Sequence, residues 1–271
     1  MSHENNAFGI DLSRWNTSAD GKKKVNFDTI AQHTPKVEFI AMRAGVSWGY
    51  ADPWFPYYMS ESQRISRVRM AYHVIFPGEN PISQMDNFFK ILGDIDFSKV
   101  PLVLDLELDH GQSKRRITDT TAQAVNIIAK RTNQTPFIYS RAGWINQFLY
   151  VQDLPPVYWW LAQYRWPLPY PLYTPEHQGP PTLPAGVTTW SIHQTASRGA
   201  SIGAAAMHYM DYNRFNGSQE DLKKFIGDTK TPLLCPIDSK PCPRLLAYQL
   251  KSICHCERSE AISGEAFEAC E

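Results

Sequence analysis

Residues 101–110 read PLVLDLELDH, an apolar run that turns into three carboxylates at alternate positions, Asp105, Glu107 and Asp109. On an extended strand, side chains two apart share a face, with Cα atoms roughly 6.5–7 Å apart. Asp105 and Glu107 therefore stand side by side, while Asp109 lies further out and reads as a loop residue. Asp105 and Glu107 fall at the C-terminal end of their strand, and two more acids occupy the same relative position on other strands, Asp11 in GIDLS and Asp211 in YMDYN. If all four meet in one pocket they cannot all ionise cheaply, and at least one holds a proton near neutral pH. A protonated carboxylic acid beside an ionised one is the equipment for cleaving a glycosidic bond. One group protonates the leaving oxygen; the other attacks or stabilises the oxocarbenium-like centre. A single acid at a strand end more often caps a loop, so it is the convergence that carries this reading.

Convergence needs a scaffold. Strand-like runs recur at residues 8–13, 38–43, 70–75, 101–107, 136–140, 158–164, 188–194 and 208–213. Between the early runs the spacing leaves room for a crossover helix. Residues 118–131 have the clearest helical period, with Thr118 or Asp119 placed to cap it, and further helices are expected near 27–33, 55–68, 81–92 and 141–149. Five strand–helix units followed by three plain strands predict an α/β fold, an irregular TIM-like (β/α)5β3 barrel with its site at the C-terminal ends of the strands. Closure makes the first and eighth strands neighbours, which places Asp11 and Asp211 across the mouth from Asp105 and Glu107. A proline-rich stretch from Trp166 to Gly186 reads as a long rigid loop.

With 27 basic and 27 acidic residues the chain has no net charge, which excludes a basic nucleic-acid stripe. No run approaches the roughly 20 apolar residues that cross a bilayer, and the first fifteen residues have no secretory signal pattern. Aromatic residues make up 13% of the chain, eight of them Trp and thirteen Tyr, enough to fill a core and to stack on sugars. All five cysteines lie at or beyond Cys235, so the body is not a disulfide scaffold, and Cys254-His255-Cys256 without a matching pair is no zinc site. The boundaries expected are a catalytic barrel over 1–228 and a cysteine-containing extension over 229–271, outside the fold.

The motifs GIDLSRW, DPWF, AYHVIFP, PLVLDLE, FIYSR, WLAQY and MDYNRFNG occur in an order and spacing that resemble glycoside hydrolase family 25, the Chalaropsis-type lysozymes or N-acetylmuramidases, over about residues 7–227. The resemblance implies cleavage, with retention, of the β-1,4 bond between N-acetylmuramic acid and N-acetylglucosamine in peptidoglycan. It makes Glu107 the general acid/base. Asp105 becomes its partner, either stabilising the cationic centre or orienting the substrate acetamido group, and Asp11 and Asp211 complete the acidic set. Tyr72, Tyr139, Trp160 and Tyr164 fall in these motifs as substrate-binding candidates, joined by Arg43, which ends the second strand where the family has a basic residue, and by Gln194 of the seventh strand. His73 reads as a wall histidine. No cofactor and no metal are implied, the partner is the peptidoglycan glycan strand, and a monomer is expected. An endolysin-like enzyme made in the cytoplasm and released by a holin or other export fits a chain that acts on the cell wall without a visible signal. Two departures stand out. His193 and Thr195 flank Gln194 where the family has aromatics, and the loop AGVSWGYADP lacks an acid often found there. The competing readings are a metal-dependent hydrolase, for which Asp11, His73, Asp105, Glu107 and Asp211 are ligand types, and a barrel that binds glycans without cutting them.

Overall fold

The computed structural model describes residues 5–164, 179–206 and 209–228. The expected extension over 229–271 and most of the proline-rich loop lie outside them. Nine strands form one sheet: β1 (Phe8–Leu12), β2 (Val37–Val46), β3 (Tyr50–Ala51), β4 (Val68–Val74), β5 (Leu102–Asp105), β6 (Phe137–Ser140), β7 (Tyr158–Ala162), β8 (Ile192–Ala200) and β9 (Tyr209–Phe215). Pairing of β1 with both β2 and β9 closes eight of them into a barrel, leaving β3 as a short antiparallel flap on β2. Helices α1 (Phe27–Gln32), α2 (Phe55–Arg64), α3 (Pro81–Leu92), α4 (Lys114–Thr132) and α5 (Ala142–Phe148) follow the first five barrel strands, and among the described residues β7, β8 and β9 succeed one another without helices. This is the expected irregular TIM-like (β/α)5β3 architecture.

Alternation along each strand sorts the core into two layers. Outward residues such as Ile10, Ile40, Met42, Leu104 and Ile138 pack under the helices, while Phe39, Met70, Val103, Phe137, Trp160 and Ile192 fill the barrel itself. Gly9 faces Phe39 so closely that a Cβ there would stand 2.4 Å from the ring, so only glycine lets that phenyl occupy the barrel axis. A sixth helix, α6 (Gln219–Asp228), was not anticipated. Ser218 and Asp221 hydrogen-bond each other's backbone N–H at its start. Leu222, Phe225 and Ile226, at helical spacing, join the inner cluster from below, with Phe225 edge-on to Phe137, Tyr158 and Phe215. The inner layer is therefore apolar at its base, and polar side chains are confined to the opposite mouth.

Two expectations are corrected. The long helix starts earlier than predicted, at Lys114, because Ser113 caps it through Arg116 N–H; Thr118 instead donates to the Lys114 carbonyl inside the helix. The last strand is also not parallel: β9 runs antiparallel to both neighbours, so Asp211 reaches the mouth from near the strand's beginning and not from its C-terminal end.

Candidate active site

Asp11 and Asp211 are direct register partners on β1 and β9, and Asp105 pairs with Tyr139 on β6. Glu107 lies two residues past the end of β5, and its backbone is nevertheless fixed. Leu106 N–H donates to the Tyr139 carbonyl at 3.0 Å and the buried Ser140 hydroxyl donates to the Leu106 carbonyl at 2.6 Å. With Leu106 fully buried among the outer-layer residues, the strand's alternation carries on and turns Glu107 toward the mouth, where it is exposed.

Asp11 is the best-supported of the four acids. Its Oδ2 accepts from Gln194 Nε2 at 3.0 Å and from Asn213 Nδ2 at 2.8 Å, and it is hydrogen-bonded to Asp211. Burial raises its proton affinity and these donors oppose the rise. Asp211 is pushed well above the usual carboxylate range by burial, then by the charge on Asp11 and by the bond between them. The consistent assignment is an ionised Asp11 that accepts a proton held by Asp211. Asp105 is likewise raised well above the usual range, by burial first and then by Glu107 and Asp11, against the pull of Arg43. Its Oδ1 is buried without a partner, as is one terminal nitrogen of Arg43. Glu107 is raised by the enclosure of its carboxyl in the cleft, with Arg141 and a hydrogen bond from Tyr139 pulling the other way and Asp11 adding to the rise. Because Glu107 is open to solvent on one side, water screens part of this effect.

Around the acids runs a connected set of polar side chains. Tyr139 donates its hydroxyl to Gln194 Oε1 at 2.7 Å, and Tyr164 donates to the same oxygen. Gln194 passes the connection to Asp11, and Asn213 closes it by accepting from the Trp160 indole at 2.9 Å. Trp160 is thus buried in the barrel beneath the acids, whereas Tyr164 is partly exposed. Tyr72 lies inside the barrel near Arg43, Asp11 and Asp105. His73 faces the other way: it is fully buried, stacked on Phe88, with Nε2 at 2.8 Å from the Ser47 carbonyl, and burial lowers its pKa to about 4. His193 and Thr195 are fully buried too. His193 pairs across the sheet with outward Leu161, so replacing an aromatic there leaves the inner wall unchanged, and Thr195 sits in a register break of β8, its hydroxyl donating to the Tyr212 carbonyl.

The loop AGVSWGYADP runs into Asp52, which the DPWF motif carries and to which sequence reading gave no role. Asp52 is buried and accepts from Arg43 Nε at 2.9 Å and from the backbone N–H groups of Arg14 at 2.8 Å and Trp54 at 3.0 Å. It ties Arg43, which faces Asp105, to the turn that follows β1. Sequence reading also passed over Asn213 and Arg141. Asn213 was detectable, because it stands two residues beyond Asp211 and so shares its face; Arg141 directly follows FIYS, where a strand-end residue reaches the mouth.

Comparison with known proteins bears on the whole assembly. The family model for glycosyl hydrolases family 25 matches residues 10–204. The chain belongs to glycosyl hydrolases family 25. It is therefore a glycoside hydrolase. It is 28% identical over 229 residues to the uncharacterized protein YegX of Escherichia coli O6:H1, covering 83% of this chain and 75% of the relative. It is 24% identical over 238 residues to Lysozyme M1 of Streptomyces globisporus, covering 82% and 71%. The crystal structure of the bacterial lysozyme from Streptomyces coelicolor superposes with a TM-score of 0.66 at 21% identity, covering 83% of this chain and 99% of that one. These likenesses place the family 25 barrel of this chain among lysozyme folds.

Proposed function

We propose that this family 25 hydrolase is a lysozyme, cleaving the β-1,4 bond between N-acetylmuramic acid and N-acetylglucosamine in peptidoglycan with retention, and that Glu107 is its general acid/base. The observation that carries this reading is the gathering of Asp11, Asp105, Glu107 and Asp211 in one mouth, where Glu107 is the most open of the four and has a raised proton affinity. Protonated Glu107 gives its proton to the glycosidic oxygen as the C–O bond breaks, and the aglycone leaves as an alcohol. Asp105 lies deeper, with a buried acceptor oxygen that has no protein partner. The part of the Asp105 carboxyl group that is open at the mouth accepts the acetamido N–H of the sugar and turns the acetamido carbonyl toward the anomeric carbon, which it attacks. Water, giving its proton to Glu107, then opens the cyclic intermediate from the same face and restores the acid.

Tyr139 suits a group that must hold and release a proton. Its single O–H has two acceptors in reach, Gln194 Oε1 and Glu107. While Glu107 is protonated, the phenol donates to Gln194 and accepts from Glu107; once Glu107 is ionised, the phenol turns to donate to it, and Tyr164 keeps Gln194 satisfied. Asp11, held ionised by donors from Gln194, Asn213 and protonated Asp211, supplies fixed negative charge beside the developing cation.

A metal-dependent hydrolase fits less well. His73 faces away from the acids, and among the described residues no three His, Cys, Asp or Glu side chains are grouped to hold a metal ion. The test is digestion of purified peptidoglycan with and without EDTA, followed by mass spectrometry of borohydride-reduced products. Muramic acid at the new reducing ends, unaffected by EDTA, is expected. Glucosamine ends, loss of activity with EDTA, or no product from folded enzyme refutes the proposal.

A further inference from the structure

On the β1–β2 side of the mouth is a second charged feature, outside the acidic set. The turn after β1 carries Arg14 and Trp15, and the flap after β2 carries Trp48 and Tyr50. The Arg14 guanidinium lies 4.2 Å from the centroid of Trp15 and 5.5 Å from that of Tyr50, held between two rings. Arg43 stands under the other end of this stack, 5.7 Å from Tyr50. Asp52 accepts from the Arg14 backbone and the Arg43 side chain through one oxygen, and so fixes the geometry of both. That carboxylate pairs with Arg43; no carboxylate among the described residues pairs with the Arg14 guanidinium, whose Nε is buried without a partner. Its terminal nitrogens, unlike Nε, are not shut off from solvent. Trp15 and Trp48 are 55% and 59% exposed, too open to be explained by packing.

An arginine immobilised between aromatic faces has already lost its rotamer freedom and keeps its N–H edge for a planar anion. The exposed Trp15 indole beside it offers a flat face to a sugar ring. We infer that Arg14, with Trp15 and Tyr50, forms a subsite for a carboxylate carried by the glycan, flanking the catalytic acids. The inference rests on the proposed peptidoglycan substrate, which has such carboxylates in two places: on the stem peptide, or on the lactyl ether once the peptide is removed. A cation here also offsets the repulsion that a carboxylate-bearing glycan meets from the acidic set.

The experiment measures binding by Glu107→Gln enzyme, which leaves the ligands uncut, of three soluble glycan fragments of equal length. One bears stem peptides, one has been stripped to the free lactyl carboxylate, and one has its carboxylates converted to neutral methylamides. A charge-assisted bidentate contact gives at least one charged fragment a preference of roughly tenfold over the amide form. Adding Arg14→Met, which keeps bulk between the rings and removes the charge, is expected to reduce that preference to about twofold or less, whereas Arg14→Lys keeps part of it. Loss confined to the peptide-bearing fragment assigns the stem carboxylate, and loss with the stripped fragment assigns the lactyl group. No preference in the starting enzyme, or a preference that survives Arg14→Met, overturns the inference. If wild-type enzyme cuts peptidoglycan while the Glu107→Gln enzyme gives either of these results, the lysozyme reading stands without the subsite, and failure of wild type to cut removes that reading and this one with it.

Discussion

Asp52→Ala is the substitution that separates the scaffold of the site from its chemistry. The Asp52 side chain is fully buried and takes three hydrogen bonds, from Arg43 Nε and from the backbone N–H groups of Arg14 and Trp54. Its removal leaves the Arg43 cation, only 13% exposed, without a counterion, and strands two N–H groups. Breaking a buried ion pair from one side costs about 3–5 kcal/mol, and the partial exposure of Arg43 argues for the lower part of that range, about 3–4 kcal/mol. For a domain of this size that corresponds to a fall in Tm of roughly 6–16 °C. Arg43 also lowers the proton affinity of Asp105, and without the Asp52 charge against it that pull strengthens, so the proton affinity of Asp105 falls and kcat changes with it. The assay is thermal unfolding with activity measured in parallel, on Asp52→Ala, Arg43→Met and the double variant. Arg43→Met removes the stranded charge, so the double variant is expected to be less destabilised than the sum of the two single ones. A shift below about 2 °C in Asp52→Ala, or strict additivity, refutes the reasoning.

Three further outcomes follow from the same geometry. Asp211→Asn keeps a donor to Asp11 but does not titrate. The unfolded Asp211 ionises near 3.8 while the folded group holds its proton to a much higher pH, so wild type loses stability as pH rises through that window. The Asn variant should therefore match wild type near pH 3.5 and exceed it at pH 7 in urea unfolding; a variant no more stable at pH 7 contradicts the assigned burial cost. Tyr139→Phe removes a bond that lowers the Glu107 pKa, so the basic limb of the kcat/KM profile should move to higher pH while kcat falls; an unmoved limb excludes the contact. Gln194→Leu deprives Asp11 of a donor and Tyr139 and Tyr164 of their acceptor, and a loss of about 2–3 kcal/mol in chemical denaturation is expected, less than 1 kcal/mol being inconsistent with it.

What could be read ahead of the structure follows physical lines. Strand alternation and helical period are local, so the order of elements, the barrel and the shared face of Asp105 and Glu107 were legible in PLVLDLELDH and its neighbours. Strand direction is not local: an isolated HYMDYN says nothing of its sense, and the antiparallel course of β9 depends on pairing with β8 and β1. Asp52 was missed because its role exists only through Arg43 and the turn after β1, 38 positions before it for the Arg14 bond. Helix α6 had the Ser218–Asp221 cap and the Leu222, Phe225 and Ile226 spacing to mark it, signals strong enough to have been used. His193 looked consequential in sequence and proves to face away from the mouth, since only every second residue of a barrel strand reaches it.

The claim that Glu107 protonates the leaving group is tested most directly by changing how much the leaving group needs that proton. Wild type and Glu107→Gln are compared on a peptidoglycan fragment and on a matching muramyl glycoside of dinitrophenol, whose phenolate departs unprotonated. Loss of roughly a hundredfold or more in kcat on the natural fragment, with the dinitrophenyl glycoside still cleaved to its coloured phenolate at a rate within about tenfold of wild type, is the predicted result. Equal losses on both substrates, or full activity on the natural one, contradict the assignment.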